Sequence, residues 1–280
     1  MQGRGTAMSA TLAERYHDVC ERIAAAARRS GRRAEDVILV AVTKNAEPEQ
    51  IRGLLELGHR DLGENRVQQL IQHAGMVEEF LERVRVHPKG HQDRAARDAA
   101  AAGLLRPDAP LPDGVRWHMI GHLQRNKARK VVELCRLIHS VDSLRLAEEV
   151  QQIALRTEKP VEVLVQVNCS LEPQKFGCPI AAARPLTEQI DTMINVRVRG
   201  LMTMAALGDN QDQARSAFSR CRELFEEIRR KDLGDGRFNI LSMGMTADFE
   251  TAIEEGANVI RVGTAIFGEA KPEVESTPPE

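Results

Sequence analysis

A chain of 280 residues suits one large barrel or two modest domains, and it is long enough to bury a sizeable core. Lys plus Arg (39) nearly balances Asp plus Glu (41), and aromatic residues make up 3% of the chain. These values exclude the basic field of a nucleic-acid or membrane-surface binder and the aromatic platforms of a base-stacking protein. The five cysteines (Cys20, Cys135, Cys169, Cys178 and Cys221) are odd in number and lack CxxC spacing, which fits free thiols in a reducing compartment. Met1 to Ala7 lacks the apolar stretch of a signal peptide, and no segment could span a bilayer, so a cytoplasmic globular protein is expected.

Thr11 to Arg29 has helical periodicity, with Leu12, Tyr16, Val19, Ile23 and Ala26 on one face and Gly31 as its stop. The chain then alternates. Val37–Lys44 is apolar and β-branched and reads as a buried parallel strand. Pro48–Leu57 reads as a helix, with Pro48 near its start and Gly58 past its end. Asp61–Glu64 is a short strand, followed by a helix from Arg66 through Leu81. Val86–Gly114 breaks the pattern: it is rich in Pro, Gly, Ala and charge and is expected to be a mobile or loosely helical insertion. Alternation resumes with strands at Val115–Ile120, Leu137–Val141, Val161–Asn168, Val196–Met204, Phe238–Met243 and Asn258–Phe267. Helices are expected between them at Asn126–Leu134, Ser143–Arg156 (N-capped by Ser143), Ile180–Ile194, Gln211–Arg230 and Asp248–Glu255. The Pro- and Glu-rich tail from Lys271 is expected to be disordered.

Eight strands alternating with helices predict a parallel sheet closed into a (β/α)8 barrel, with one extra helix in front. An open doubly wound sheet is disfavoured because no GxGxxG follows the first strand. No boundary splits the chain, so residues 1–280 are read as one domain with its core at about 9–269.

In such barrels the chemistry sits at the C-terminal strand ends. Strand one ends in Lys44. On position alone this lysine is either a snorkelling side chain whose head reaches water, or an amine made nucleophilic toward carbonyls by partial burial. Strand seven ends in Ser242-Met243-Gly244-Met245-Thr246 and runs into a helix, while strand eight carries Arg261-Val262-Gly263-Thr264. Backbone N–H groups and hydroxyls after strands seven and eight make a phosphate cradle, where Gly244 lets the main chain approach a ligand closely. Glu64 is either a general base or the partner of a neighbouring group. His118 and His122 stand four apart, but on a strand-to-loop segment with no third ligand in view, so no metal is expected. An imine-forming lysine with a phosphate cradle leaves two ligand classes: a sugar phosphate, as in Schiff-base aldolases, or pyridoxal 5′-phosphate. Arg261 on the phosphate strand could face a pyridine nitrogen or form a salt bridge inside the barrel.

At these residues the sequence closely resembles the pyridoxal phosphate homeostasis protein family, which shares the barrel of the alanine racemase N-terminal domain. The matching segments are AVTK at 41–44, GENRVQ at 63–68, WHMIGHLQRNK at 117–127, VDS at 141–143, RGLMTMA at 199–205, and SMGMTADFETAIEEGANVIRVGTAIFG at 242–268. The resemblance implies that Lys44 forms a Schiff base with the cofactor. It also implies that Thr246, Gly263 and Thr264 hold the phosphate, with Ser242 and Gly244 shaping that loop. Arg261 would face the pyridine nitrogen, Asn65 and His118 would line the pocket, and Lys175 would lie near the cofactor entrance. This chain departs from the family pattern at Ala46, where a second lysine is common, and at His122, where proline is common. Thr246 replaces serine without losing the hydroxyl, and the Val86–Gly114 insertion is unusually long.

The resemblance further implies a protein that binds, buffers and delivers pyridoxal 5′-phosphate to recipient apo-enzymes, as a monomer and without turnover. The alternative is a pyridoxal-phosphate-dependent amino-acid enzyme such as a racemase. A racemase of the related fold takes a second base, a tyrosine, from an additional β domain. This chain reads as lacking that domain, and its one tyrosine, Tyr16, falls in the leading helix.

Overall fold

The computed structural model describes residues 10–86, 114–206, 210–231, 233 and 236–269. Its first element, α1 (Leu12–Arg29), begins at a capping box in which Thr11 Oγ1 accepts from the Glu14 amide at 3.2 Å and the Glu14 carboxylate accepts from the Thr11 amide at 2.6 Å. It ends where Gly31 takes φ 70°. The helix buries Val19, Ile23, Ala26 and Ala27.

Eight parallel strands follow among the described residues: β1 (Ile38–Val42), β2 (Asp61–Glu64), β3 (Arg116–Met119), β4 (Cys135–Val141), β5 (Val161–Gln166), β6 (Val196–Met202), β7 (Ile240–Ser242) and β8 (Val259–Val262). They close in sequence order, with β8 pairing back onto β1 through Val40↔Arg261 and Ala41↔Val262. The crossover helices are α2 (Pro48–Glu56), α3 (Val67–Val86), α4 (Ala128–Leu134), α5 (Leu144–Thr157), α6 (Ile180–Asp191), α7 (Gln211–Arg229) and α8 (Phe249–Glu254). A last short helix, α9 (Thr264–Phe267), follows β8. α1 packs outside the barrel against α8, where Arg22 Nε donates to Glu250 Oε1 at 2.8 Å and its guanidinium lies 4.7 Å from the Phe249 ring centroid.

The barrel has two interiors. Between sheet and helices, residues such as Leu39, Ala41, Leu62 and Val163 join the main apolar core. Inside the lumen, Leu137, Leu164 and Met202 form a separate apolar cluster with Met204 and Ile240 packed on it. Polar groups occupy another part of the lumen, where the side chains of Ser242 and His139 hydrogen-bond across it between β7 and β4, which are not neighbours in the sheet.

The expected barrel and its leading helix are present, with several corrections. The last strand stops at Val262 instead of Phe267: the chain turns at Gly263 (φ −121°, ψ −75°) into α9. An apolar run such as Ala-Ile-Phe reads equally well as strand or helix. The strands expected to reach Asn168, Met204 and Met243 end at Gln166, Met202 and Ser242. Ser143 stands at the N-cap of α5 but its side chain makes no capping bond. Apart from Val86, the last residue of α3, and Gly114, the expected insertion lies outside the described residues, as does the tail from Lys271.

Candidate functional site

The C-terminal strand ends gather most of the residues picked out from the sequence. Thr43 continues β1, its amide donating to the Gly63 carbonyl at 3.0 Å. Its hydroxyl donates to Glu64 Oε1, which also meets His73 Nδ1 of α3 at 2.7 Å. Glu64 therefore faces the helix layer, fully buried, and pairs with a neighbouring base. It is a fastener between the ends of β1 and β2. Lys44 comes next, in the turn before α2, with its carbonyl held by Gln69 Nε2 at 3.0 Å. The partial burial that would have made this lysine nucleophilic is absent: Lys44 is exposed at the barrel mouth.

Beside it lies the cradle. β8 bonds to β1 on one side and β7 on the other, so the β1, β7 and β8 ends are contiguous. Gly244 has φ 96°, and a Cβ there would lie 2.6 Å from Ala252 Cβ and 2.9 Å from Phe249 Cα, so any side chain would push the turn off α8. The turn is pinned by Asp248, whose Oδ1 accepts from the Met245 amide at 2.6 Å. Burial raises the Asp248 carboxyl above its usual range, with the Met245 amide and Arg261 opposing that shift. Thr246 Oγ1 lies 3.1 Å from Thr264 Oγ1 and 3.4 Å from the Gly263 amide, so the two turns share a rim of hydroxyls. The first amides of α9, at Thr264 and Ala265, have no intrahelical carbonyl to bond. A Cβ on Gly263 would lie 3.1 Å from the Val42 carbonyl oxygen, which fixes how closely this rim approaches the strand that carries Lys44.

Asn65, at the end of β2, is packed backbone to backbone against Gly121, and its buried Oδ1 has no hydrogen-bond partner among the described residues. On the far side of the mouth, Lys175 Nζ pairs with Glu172 at 2.7 Å and donates to the Ala205 carbonyl. Phe176 stacks on His122 with ring centroids 4.3 Å apart, and His122 Nδ1 lies 3.8 Å from Asp142 Oδ2.

Three residues sit below the mouth. Arg261 is buried in the lumen, its Nη1 donating to Ser242 Oγ at 2.7 Å and its Nη2 to the Thr203 carbonyl at 2.9 Å. Burial lowers its pKa to about 10, against opposing pulls from Asp248 and Cys221, so it keeps its proton at neutral pH. His118 is turned away from the mouth: its Nε2 meets Asp61 Oδ1 at 3.0 Å and its Nδ1 meets His139 Nε2 at 2.9 Å. It does not line the pocket at the level of Lys44, and it shares no surroundings with the exposed His122. The expectation that His118 lines the pocket comes from the family resemblance, a reading by position that carries no side-chain direction. Asp61 and His139, which this reading passed over, carry a signal of their own: they are polar residues at inward positions of buried strands.

A second concavity, of about 350 Å³, opens at the N-terminal end of the barrel between Asp61, Arg116, Arg136, Glu162 and Arg199. These five charges pair with one another. Arg116 Nε donates to Asp61 Oδ1 at 2.8 Å, and Glu162 takes both Arg136 and Arg199. Burial acts to raise the Asp61 pKa, but hydrogen bonds from His118 and Arg116 outweigh it and lower the value to about 2.

Residues 20–271 match the family model described as alanine racemase, N-terminal domain. The pyridoxal phosphate homeostasis protein of Aquifex aeolicus is 35% identical over 92% of this chain and 98% of its own length, and that of Pseudomonas aeruginosa is 34% identical over 92% and 95%. PipY of Synechococcus elongatus, solved with PLP bound, superposes with a TM-score of 0.63 at 32% identity, over 89% of this chain and 100% of its own. The chain belongs to the pyridoxal phosphate homeostasis protein family, built on the alanine racemase N-terminal-domain barrel.

Proposed function

We propose that this protein binds pyridoxal 5′-phosphate at the barrel mouth, holding its aldehyde as a Schiff base on Lys44, and that it buffers and delivers the cofactor in the cytoplasm. The observation that carries this reading is the contiguity of an exposed lysine at the end of β1 with a hydroxyl- and amide-rimmed cradle at the ends of β7 and β8. The donor set suits the group: Thr246, Thr264 and the Gly263 turn would take a phosphate dianion, and the orphaned Asn65 Oδ1 offers an acceptor. Arg261 would meet the ring nitrogen from below. The cofactor supplies an electrophilic aldehyde and an electron-withdrawing ring. The chain supplies the amine, the anion cradle and a permanent cation that donates to the ring nitrogen without protonating it, which favours holding over electron withdrawal.

Turnover would need a second base at the mouth. Tyr16, the chain's one tyrosine, bonds instead to His59 Nδ1 at 3.1 Å, beside Asp61 at the opposite end of the barrel. Holding and release therefore fit these residues better than racemisation. Exposure of Lys44 favours the same reading, since a solvent-open amine can release its aldehyde by hydrolysis. The test is to add pyridoxal 5′-phosphate to the protein and follow the yellow imine band. Uptake that Lys44→Ala abolishes supports the reading. Absence of uptake, or sustained conversion of any single amino acid by the loaded protein, contradicts it.

A further inference from the structure

The lumen holds an unbroken line of buried hydrogen bonds between the two ends of the barrel. Arg261 Nη1 lies 2.7 Å from Ser242 Oγ, Ser242 Oγ 2.9 Å from His139 Nδ1, His139 Nε2 2.9 Å from His118 Nδ1, and His118 Nε2 3.0 Å from Asp61 Oδ1. All five residues are buried. Counting protons fixes the direction of the line. A guanidinium can only donate, so Ser242 Oγ accepts from Arg261 and its hydroxyl hydrogen is left for His139 Nδ1. His139 then carries its proton on Nε2 and donates to His118 Nδ1, which leaves His118 its Nε2 proton to give to the Asp61 carboxylate. Every bond has one hydrogen, both histidines are neutral, and the donors all point from Arg261 to Asp61. The reverse arrangement needs an additional proton in the lumen and leaves the Ser242 hydroxyl with no acceptor among the described residues.

We propose that Asp61 is a positioning residue for the cofactor site at the other end of the barrel: the counter-charge that orients Arg261 through Ser242, His139 and His118. The inference rests on the cofactor reading above, because it assigns Arg261 to the ring of the bound group. Among the described residues, the charged groups bonded or paired to this line meet it at its ends. Arg116 pairs with Asp61, Asp248 acts on Arg261, and His59 bonds the Asp61 carbonyl at 2.9 Å. The middle is neutral, and the Asp61 charge acts along the line by polarising successive donors.

The direction is tested in the cofactor-free protein by long-range proton–nitrogen NMR of the histidine rings. Both His118 and His139 should carry the proton on Nε2, and Ser242→Ala should shift the His118 resonances although the two residues do not touch. A proton on His139 Nδ1, or a His118 signal indifferent to Ser242→Ala, overturns the proposal. With pyridoxal 5′-phosphate added, Asp61→Asn keeps an acceptor oxygen for His118 but removes the charge, and should weaken binding about tenfold. Ser242→Ala should weaken binding by a similar factor, Ser242→Thr should restore it, and the Asp61→Asn/Ser242→Ala double variant should be no worse than Ser242→Ala alone. Undiminished binding by a folded Asp61→Asn, or fully additive losses, overturns the proposal. If Asp61→Asn does not fold, the Ser242 pair carries the comparison. Failure of the unaltered protein to take up the cofactor while the NMR pattern stands intact would overturn the cofactor reading itself, and this inference with it.

Discussion

The two ends of this barrel are built from the same strands and use their polar groups in opposite ways. At the N-terminal end the concavity is rich in charge, yet Asp61 is gripped by Arg116 and His118, and Glu162 by Arg136 and Arg199. At the C-terminal end Lys44 is exposed, the Thr264 and Ala265 amides that open α9 lack intrahelical partners, and Asn65 Oδ1 has none among the described residues. The N-terminal cavity of about 350 Å³ is both concave and charged, but its central charges are already paired. Unspent bonding capacity is what the proposed site offers: a buried group already satisfied by the protein gains little from a ligand, whereas an unpaired one gains a full hydrogen bond.

Substitutions at the two ends should separate along this line. The largest effect is expected for Gly244→Ala, which forces a side chain into φ 96° against Ala252 and Phe249. It should cost about 3 kcal/mol in denaturant unfolding and abolish cofactor uptake. A variant that folds and binds normally would mean that the turn does not shape the cradle. Next comes acidification, read as unfolding free energy against pH. His139 is held well below the usual histidine range by burial, then by His118 and Arg261, and burial likewise lowers His59. Both folded-state values are depressed, so below about pH 6.5 the unfolded chain takes up protons that the folded chain refuses. Stability is then lost as pH falls, by up to about 1.4 kcal/mol per pH unit for each histidine. Asp61, with its folded pKa at about 2, contributes stability above its unfolded value of 3.8 that disappears as pH falls toward 2, on the order of 2 kcal/mol. His139→Asn should remove one proton's worth of the slope near pH 6; an unchanged slope would contradict a neutral lumen.

Smaller effects should mark the ends most cleanly. Glu162→Gln breaks the Arg136–Glu162–Arg199 cluster and should lower stability by about 1–2 kcal/mol, with pyridoxal 5′-phosphate binding unchanged. Thr246→Val keeps the shape but removes the hydroxyl that meets Gly263 and Thr264. It should lower stability by about 1 kcal/mol or less and weaken binding roughly tenfold in a fluorescence or absorbance titration. If the two variants exchanged phenotypes, the assignment of ends would be reversed.

The mouth was legible in the sequence because strand ends are countable: Lys44, the Gly244–Thr246 turn and Gly263-Thr264 each follow an apolar run, and barrel topology brings them together. The lumen was not. Asp61, His118 and His139 lie on three different strands, and their meeting depends on register and side-chain direction, which a one-residue shift would invert. Of the two alternatives for Lys44, its exposure fits the one in which its head reaches water. Its strand is buried, but the chain turns after Thr43, and that turn carries the lysine out to solvent.

Borohydride reduction of the protein incubated with pyridoxal 5′-phosphate, followed by peptide mapping of the label, tests the role of Lys44 most directly. Stoichiometric label on Lys44, lost in Lys44→Ala without transfer to Lys175, is the predicted result. Label distributed over surface lysines, or concentrated at the N-terminal end of the barrel, would contradict it.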